Sequence, residues 1–404
     1  MMYKYLNLKY ALINASFMLM VAATAGYSYN FLSQSGFSDG MVGIIITSIS
    51  LCGLIGQPFA GSLVDKSETL DEKKFISMAM IATIVLAALL AFLPQGSFLM
   101  IIATVACFFC ATVSLPLFNS MAFIYEKDGQ KINYGVGRGI GSGAYAVGSS
   151  LIGQLWGWLG KSVLPWYVIV FAALSFFLIQ LMPTPSKQAE DAEHAEDVEK
   201  VQSLSYMEFF KKYNKVLLIV ISMVLLYFCH MLINTYIAKI ITNIIGEEAA
   251  SAAGAVESIQ GTALFIAAMC ELPTMFAFSK IIEKIPVNRM MIIAAIFFSL
   301  KHVLTLLCPN VTIFYLVMAL QMFGYAALLP AAVYFANENV AAEDRNKGQA
   351  VMSVSTTVGG LLSSLAGGQL FQIMSTSNVL LIAVIASCIG TVLMVIGIRR
   401  VEAK

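Results

Sequence analysis

An all-α membrane protein of twelve transmembrane helices, arranged as two pseudo-symmetric six-helix bundles, is the fold class this sequence predicts. Three observations predict it. The 404 residues are 59% hydrophobic and 12% charged, with a mean hydropathy of +0.82. Soluble domains carry about 25% charged residues, and a water-facing surface has no room to hide so much apolar side chain. The apolar residues fall into twelve runs, each near the ~20 residues that cross a bilayer core. The runs divide six and six around a polar, acidic stretch, PTPSKQAEDAEHAEDVEK, at 183–200.

In the first half the runs lie at about 8–32, 38–63, 75–94, 97–125, 138–159 and 164–182. In the second they lie at about 214–245, 253–282, 288–308, 310–337, 346–374 and 378–398. The first run is too long for the apolar core of a signal peptide, so no cleavable leader is expected. The second, Met41 to Leu63, passes without a break into a charged turn at Asp65-Lys66, and its Gln57-Pro58 and glycines at 53, 56 and 61 let another backbone come close. The fifth opens with Gly135, Gly139 and Gly143 at four-residue spacing, a smooth face for helix packing. The fingerprint G-x-G-x-x-G fits there in no register and no strand precedes it, so dinucleotide binding is not expected. The segment 183–213 reads as a cytoplasmic linker between bundles at 1–182 and 214–404. Within it, Ser203 to Lys215 predicts an amphipathic helix on the membrane surface, with Phe209 and Phe210 toward lipid and Lys211 and Lys212 toward headgroups.

Charge orients the chain. From Lys4 and Lys9 to Arg399 and Arg400, nearly all basic residues fall on one side of this map, and the opposite loops carry little besides Lys161. The positive-inside rule then places both termini in the cytoplasm and supports an even number of spans; the expected location is the inner membrane of a bacterial-type cell. Net charge is +1, which gives no reason to expect a nucleic-acid partner. All seven cysteines lie in apolar runs. Cys107 and Cys110 have CxxC spacing but no acidic or histidine neighbour, so packing is expected rather than metal or redox chemistry. Trp156, Trp158 and Trp166 are expected in an interfacial belt. No metal, no cofactor and no enzymatic nucleophile–base–acid set is expected, and a monomer is.

The halves repeat. Gly148-Ser149-Ser150-Leu151-Ile152-Gly153 in span 5 answers Leu362-Ser363-Ser364-Leu365-Ala366-Gly367 in span 11, and the turn Gly61 to Lys66 answers Ser279 to Lys284 after span 8. Two parallel repeats joined by a linker are a transporter architecture, with solute bound near the midplane.

The turn Gly61-Ser62-Leu63-Val64-Asp65-Lys66, with basic Lys73 and Lys74 beyond it, resembles the helix 2–3 signature of the major facilitator superfamily. With Gly43-Ile44-Ile45, Ser50-Leu51 and Gln57-Pro58 before it, the stretch is similar to the oligosaccharide:proton symporter branch, the lactose permease type. The resemblance is specific at 43–66, at 134–145 and around Glu271. It implies the fold of that superfamily and a conformational gate at Gly61, Asp65, Lys66 and Lys73, where the acid and the bases hold two helix ends together on the cytoplasmic face. It also implies that Arg138 reaches solute hydroxyls, that Tyr145 stacks on a sugar ring, and that Glu271 lies near the proton pathway with Lys301 in the place of a span 9 arginine.

Several family positions are changed. Met121 replaces the span 4 acid, Val136 the first arginine of span 5, and Gln321 and Gly324 the span 10 histidine and acid. Galactoside specificity and the lactose-type relay therefore do not carry over. Ionisable and polar groups inside lipid are costly and are site candidates by default. On that ground Asn119, His230 and Gln321 join Arg138, Tyr145, Glu271 and Lys301 as substrate-binding candidates, each open to a purely structural role. Glu271 and His302 are the proton-coupling candidates, and a plain ion pair of Glu271 with Lys301 is the structural alternative. The expected function is proton-coupled symport of a small hydroxylated solute, a sugar or nucleoside, by rocking of the halves. The alternatives are import of an aromatic or organic acid clasped by Arg138 and Lys301, efflux of lipophilic compounds, or a membrane sensor.

Overall fold

The computed structural model describes residues 5–67, 69–125, 129–183 and 205–403. Lys4, Glu68, Glu126, Lys127 and all of the acidic linker beyond Pro183 lie outside the described residues. The first half runs α1 (Leu6–Gly26), α2 (Ser28–Gln34), α3 (Asp39–Asp65), α4 (Glu72–Phe92), α5 (Phe98–Val113), α6 (Leu115–Ser120), α7 (Tyr134–Leu159) and α8 (Val163–Gln180). The short α9 (Tyr206–Lys212) precedes α10 (Asn214–Thr235), α11 (Ile237–Ile245), α12 (Glu247–Ala250), α13 (Ala255–Ile282), α14 (Val287–Leu306), α15 (Val311–Ala319), α16 (Tyr325–Asn339), α17 (Arg345–Ile373) and α18 (Thr376–Glu402).

Among the described residues, eleven stretches are long and apolar enough to cross a membrane. One of them, Tyr134–Gln180, is two crossings, α7 and α8, parted by a 3-10 turn at Gly160–Ser162, where Gly160 takes φ +59°. That left-handed conformation suits a residue without Cβ. The described residues thus form the twelve-span all-α fold expected. Helix starts follow capping chemistry: Ser38, Asp71, Ser97, Asn133, Asn310 and Ser375 each accept from a backbone N–H in the first turn that follows, satisfying a donor the helix leaves orphaned. Large apolar side chains such as Ile55 and Phe92, 72% and 79% exposed, are solvated by acyl chains in such a fold.

The chain packs into two compact units. Unit 1 is 1–186 with 235–269 and 364–373, and unit 2 is 187–234 with 270–363 and 374–404. In unit 1, α7 lies along α1 by its glycines, but not by the face expected. Gly135 and Gly143 meet no side chain of another helix, whereas added Cβ atoms at Gly137, Gly141 and Gly148 would meet Tyr10, Met18 and Leu19 respectively, at 2.4, 3.2 and 3.0 Å. The row at 137 and 141 is the one turned to α1, and in lipid a glycine row does not by itself declare which face has the partner.

Spans 1 and 7 are each interrupted by a tyrosine. Tyr27, between α1 and α2, donates to the Ser149 carbonyl at 2.7 Å, and Tyr236, between α10 and α11, donates to the Ser364 carbonyl at 2.7 Å. Both acceptors sit in the repeated Ser-Ser segments of spans 5 and 11, the first serine of the pair in span 5 and the second in span 11, so the two ties are similar with a shift of one residue.

In unit 2, Tyr227, Phe298, Ala331, Phe335 and Met394 belong to one buried cluster drawn from α10, α14, α16 and α18. A second, smaller one corrects the surface-helix expectation. Phe209 is fully buried against Val340 and Val351, with Phe210 partly buried beside it. The capping box of Ser205 and Glu208 starts α9. Lys212 then pairs with Asp344 at 2.8 Å, and the Tyr213 hydroxyl donates to the same carboxylate at 2.8 Å. The helix docks on protein through the face assigned to lipid, because a short amphipathic pattern does not distinguish an apolar protein groove from a membrane surface.

Candidate functional site

In unit 1, Arg138 and Tyr145 stand seven residues apart on α7, two turns along one face. Both are half-buried. The Nη1 of Arg138 has the thioether of Met18 at 3.9 Å, a weak acceptor. Its backbone carbonyl takes the Ser142 hydroxyl at 3.2 Å, and the Tyr145 carbonyl takes that of Ser149 at 2.9 Å. Asn119, on α6, has a buried Oδ1 with no hydrogen-bond partner among the described residues.

In unit 2 three expected residues come together on three different spans. Lys301 of α14 donates to the Gln321 Oε1, and the Gln321 Nε2 donates to the Glu271 Oε1 of α13. Lys301 is 2% and Gln321 7% exposed. The direct Glu271–Lys301 ion pair weighed from sequence does not form; an amide stands between the charges. Gln321 lies in a 3-10 turn, Leu320–Met322, that separates α15 from α16. Such a break within a span frees backbone from the i→i−4 ladder.

The two histidines flank this set. His230 is buried, shares its Nε2 with the Asn234 amide at 2.9 Å, and stacks on Tyr325 with centroids 5.0 Å apart and planes 20° from parallel. His302 is fully buried; its Nδ1 lies 2.7 Å from the Ser387 hydroxyl, and its Nε2 meets no partner among the described residues. His230 and His302 have centroids 6.1 Å apart.

The gate residues sit at the terminus-proximal end of unit 1. Lys73 donates to the Gln180 and Met182 carbonyls at 3.1 and 2.8 Å, capping the end of α8. Asp65 makes no ion pair with a described residue. A Cβ at Gly61 would meet nothing within 4 Å, so no backbone is drawn close there.

Sequence reasoning missed the opposite end of unit 1. Asp39 pairs with Lys239 at 2.6 Å and accepts from Tyr29 at 2.7 Å. Glu257, 4% exposed, accepts from Asn30 at 3.1 Å and Gln34 at 2.7 Å. Gln34 in turn accepts from Trp156 at 3.1 Å. Trp156 is therefore buried, against the belt expectation, while Trp158 and Trp166 are exposed. Backbones touch at glycines. A Cβ at Gly43 would stand 2.4 Å from the Ser364 carbonyl, one at Gly153 2.4 Å from the Glu257 carbonyl, and one at Gly254 2.3 Å from the Gly157 Cα. This sealed end joins α2, α3 and α7 of the first half to α11, α13 and α17 of the second. Its sequence signal was available: Asp39, Lys239 and Glu257 are among the few charges near that end.

The sequence model of the MFS_1 like family matches residues 10–382. No curated protein matches. Among solved structures, a mutant of the nucleoside transporter NupG is 16% identical over 97% of this chain and 99% of its own, with TM-score 0.78. A bacterial homologue of the iron transporter ferroportin is 12% identical over 97% and 98%, with TM-score 0.72. A bacterial homolog of the lysosomal transporter Spinster is 14% identical over 98% and 96%, with TM-score 0.68. At these identities the likeness is one of fold.

Proposed function

Taking as premise that this chain belongs to the MFS_1 like family, we propose that it is a proton-coupled symporter of a small hydroxylated solute, a sugar or nucleoside. The observation that carries the reading is the Glu271–Gln321–Lys301 set, two ionisable groups buried within membrane-crossing helices and joined by a neutral amide. Such groups are too costly to keep in lipid without a use. Glu271 takes and gives the coupling proton, with His302 the next group able to do so. Lys301, with Gln321 and His230 beside it, offers a hydrogen bond to the solute. Arg138, Tyr145 and Asn119 are the remaining solute-binding candidates of this reading, as a planar guanidinium suits paired hydroxyls.

The transport cycle is alternating access. The Asp65–Lys66 turn is its latch on the terminus-proximal side, taken as cytoplasmic by the charge asymmetry, and the sealed end is its outer closure. The protein works in this reading as a monomer in the inner membrane. The test is uptake into proteoliposomes under an imposed inward proton gradient, with galactose and uridine as solutes. Glu271→Gln is expected to keep solute exchange and lose accumulation against the gradient; accumulation at the native level in that variant would overturn the assignment.

One observation favours a second reading, import of a small organic acid. The Arg138 guanidinium has a thioether and no carboxylate within hydrogen-bonding distance among the described residues, which leaves it able to pair with an anion. Benzoate in the same assay separates the two readings.

A further inference from the structure

We propose that the solute carries the donor–acceptor edge of an amide or lactam, and that it binds by taking the place of the Gln321 side chain between Glu271 and Lys301. This deepens the symport reading and rests on its assignment of Glu271 and Lys301 to the solute. A carboxylate only accepts hydrogen bonds and an ammonium only donates them. While Glu271 is ionised the pair therefore presents an acceptor and a donor, and the structure shows what satisfies both at once: one planar group with an N–H directed at Glu271 and a C=O directed at Lys301.

Burial makes that pairing obligatory. Lys301 is 2% exposed and has no carboxylate within 4 Å among the described residues, so leaving it without an acceptor, or Glu271 without a donor, is strongly unfavourable. Whatever displaces Gln321 must supply both functions. A carboxylate ligand would satisfy Lys301 and repel Glu271; an ammonium would do the reverse. The site selects a neutral ligand whose donor and acceptor lie side by side.

One further feature fits an exchange. Gln321 sits in the 3-10 break Leu320–Met322 rather than in a continuous helix, where a local change of backbone can withdraw the side chain.

The experiment compares uridine with 3-methyluridine, which differs only by a methyl group on the lactam nitrogen, and uracil, which lacks the sugar. Binding to the purified full chain in nanodiscs is read by titration calorimetry, and competition is read against proton-driven uptake of labelled uridine into proteoliposomes. Uridine is expected to bind at least tenfold more tightly than 3-methyluridine. Uracil binding with the same discrimination against 3-methyluracil places the recognition in the base edge; discrimination seen with the nucleosides alone would show that the edge is read only with the sugar attached, which also supports the proposal. Gln321→Leu removes the internal competitor and is expected to raise uridine affinity several-fold; the shorter Gln321→Asn, which keeps an amide, covers the case where the leucine variant does not fold. Equal affinity for the methylated and unmethylated compounds, or binding of neither, overturns the proposal. If galactose accumulation still depends on Glu271 in that case, the symport reading survives; loss of that dependence would remove the reading itself.

Discussion

Glu257 and Glu271 lie on the same helix, α13, and both are carboxylates with amide donors, yet they are built for opposite purposes. Glu257 is held by two amides from α2, both on one oxygen, with a tryptophan behind one of them. Each partner is anchored in a helix of unit 1. Glu271 is held by one amide, and that amide is tied to a buried lysine and mounted on a broken turn. The first arrangement fixes a closure. The second, in the proposed cycle, holds a buried acid and a buried lysine apart through a group that the solute displaces. Burial of an acid in a membrane protein is thus not enough to assign a transport role; what holds the acid, and what that holder is mounted on, decides between seal and site.

The comparison can be broken most severely at Lys301. Lys301→Ala takes the donor from the Gln321 carbonyl and empties a buried site, and a buried large-to-small change costs about 2–5 kcal/mol; thermal unfolding in nanodiscs should show the largest loss of any single change discussed. Glu257→Ala comes next. It orphans the Asn30 and Gln34 amides, at about 1–3 kcal/mol for each unsatisfied group. With Trp158 and Trp166 changed to phenylalanine, Trp156 emission should shift to the red as its surroundings admit water, and Glu257→Gln, which keeps an acceptor, should shift it far less.

Glycine substitutions sharpen the contrast between the two ends of unit 1. Gly43→Ala places a Cβ 2.4 Å from backbone at the seal, whereas Gly61→Ala at the latch turn meets nothing within 4 Å. The first should raise thiol reagent access to an engineered cysteine at Ser364. The second should leave stability equal to, or up to about 1 kcal/mol above, the native value, since alanine is the better helix former.

The smallest effect is expected at α9. Hydrogen bonds from Lys212 and then Tyr213 hold the Asp344 carboxyl below the usual aspartate range. A carboxyl lowered in the docked state contributes stability above its ordinary titration range and loses it as pH falls through the lowered value. Amide exchange across Tyr206–Lys212 should be slow at neutral pH and quicken in acid, and Asp344→Asn should remove that dependence.

Much of the fold was legible because length, hydropathy and charge asymmetry act globally: twelve runs became twelve spans. Within the site, Glu271, Lys301 and Gln321 could each be singled out as polar groups in lipid, yet their junction could not, since it depends on three helices meeting. The seal was harder still. Asp39, Lys239 and Glu257 look like ordinary charges near helix ends, and only packing reveals their partners. Phe209 and Trp156 were misplaced for another reason: apolar surface facing lipid and apolar surface facing protein are the same in sequence, so periodicity says little about which face is covered.

The twin tyrosines carry an evolutionary and practical implication. Tyr27 and Tyr236 each interrupt the opening span of a half and each reach a serine carbonyl in that half's fifth span. A tie present in duplicate gives redundancy: Tyr236→Phe alone should cost about 1 kcal/mol, and Tyr27→Phe somewhat more, since its hydroxyl also reaches the Glu257 carbonyl at 3.3 Å. Loss of both should then cripple closure out of proportion to the sum, leaving the protein leaky where either half alone would have kept it shut.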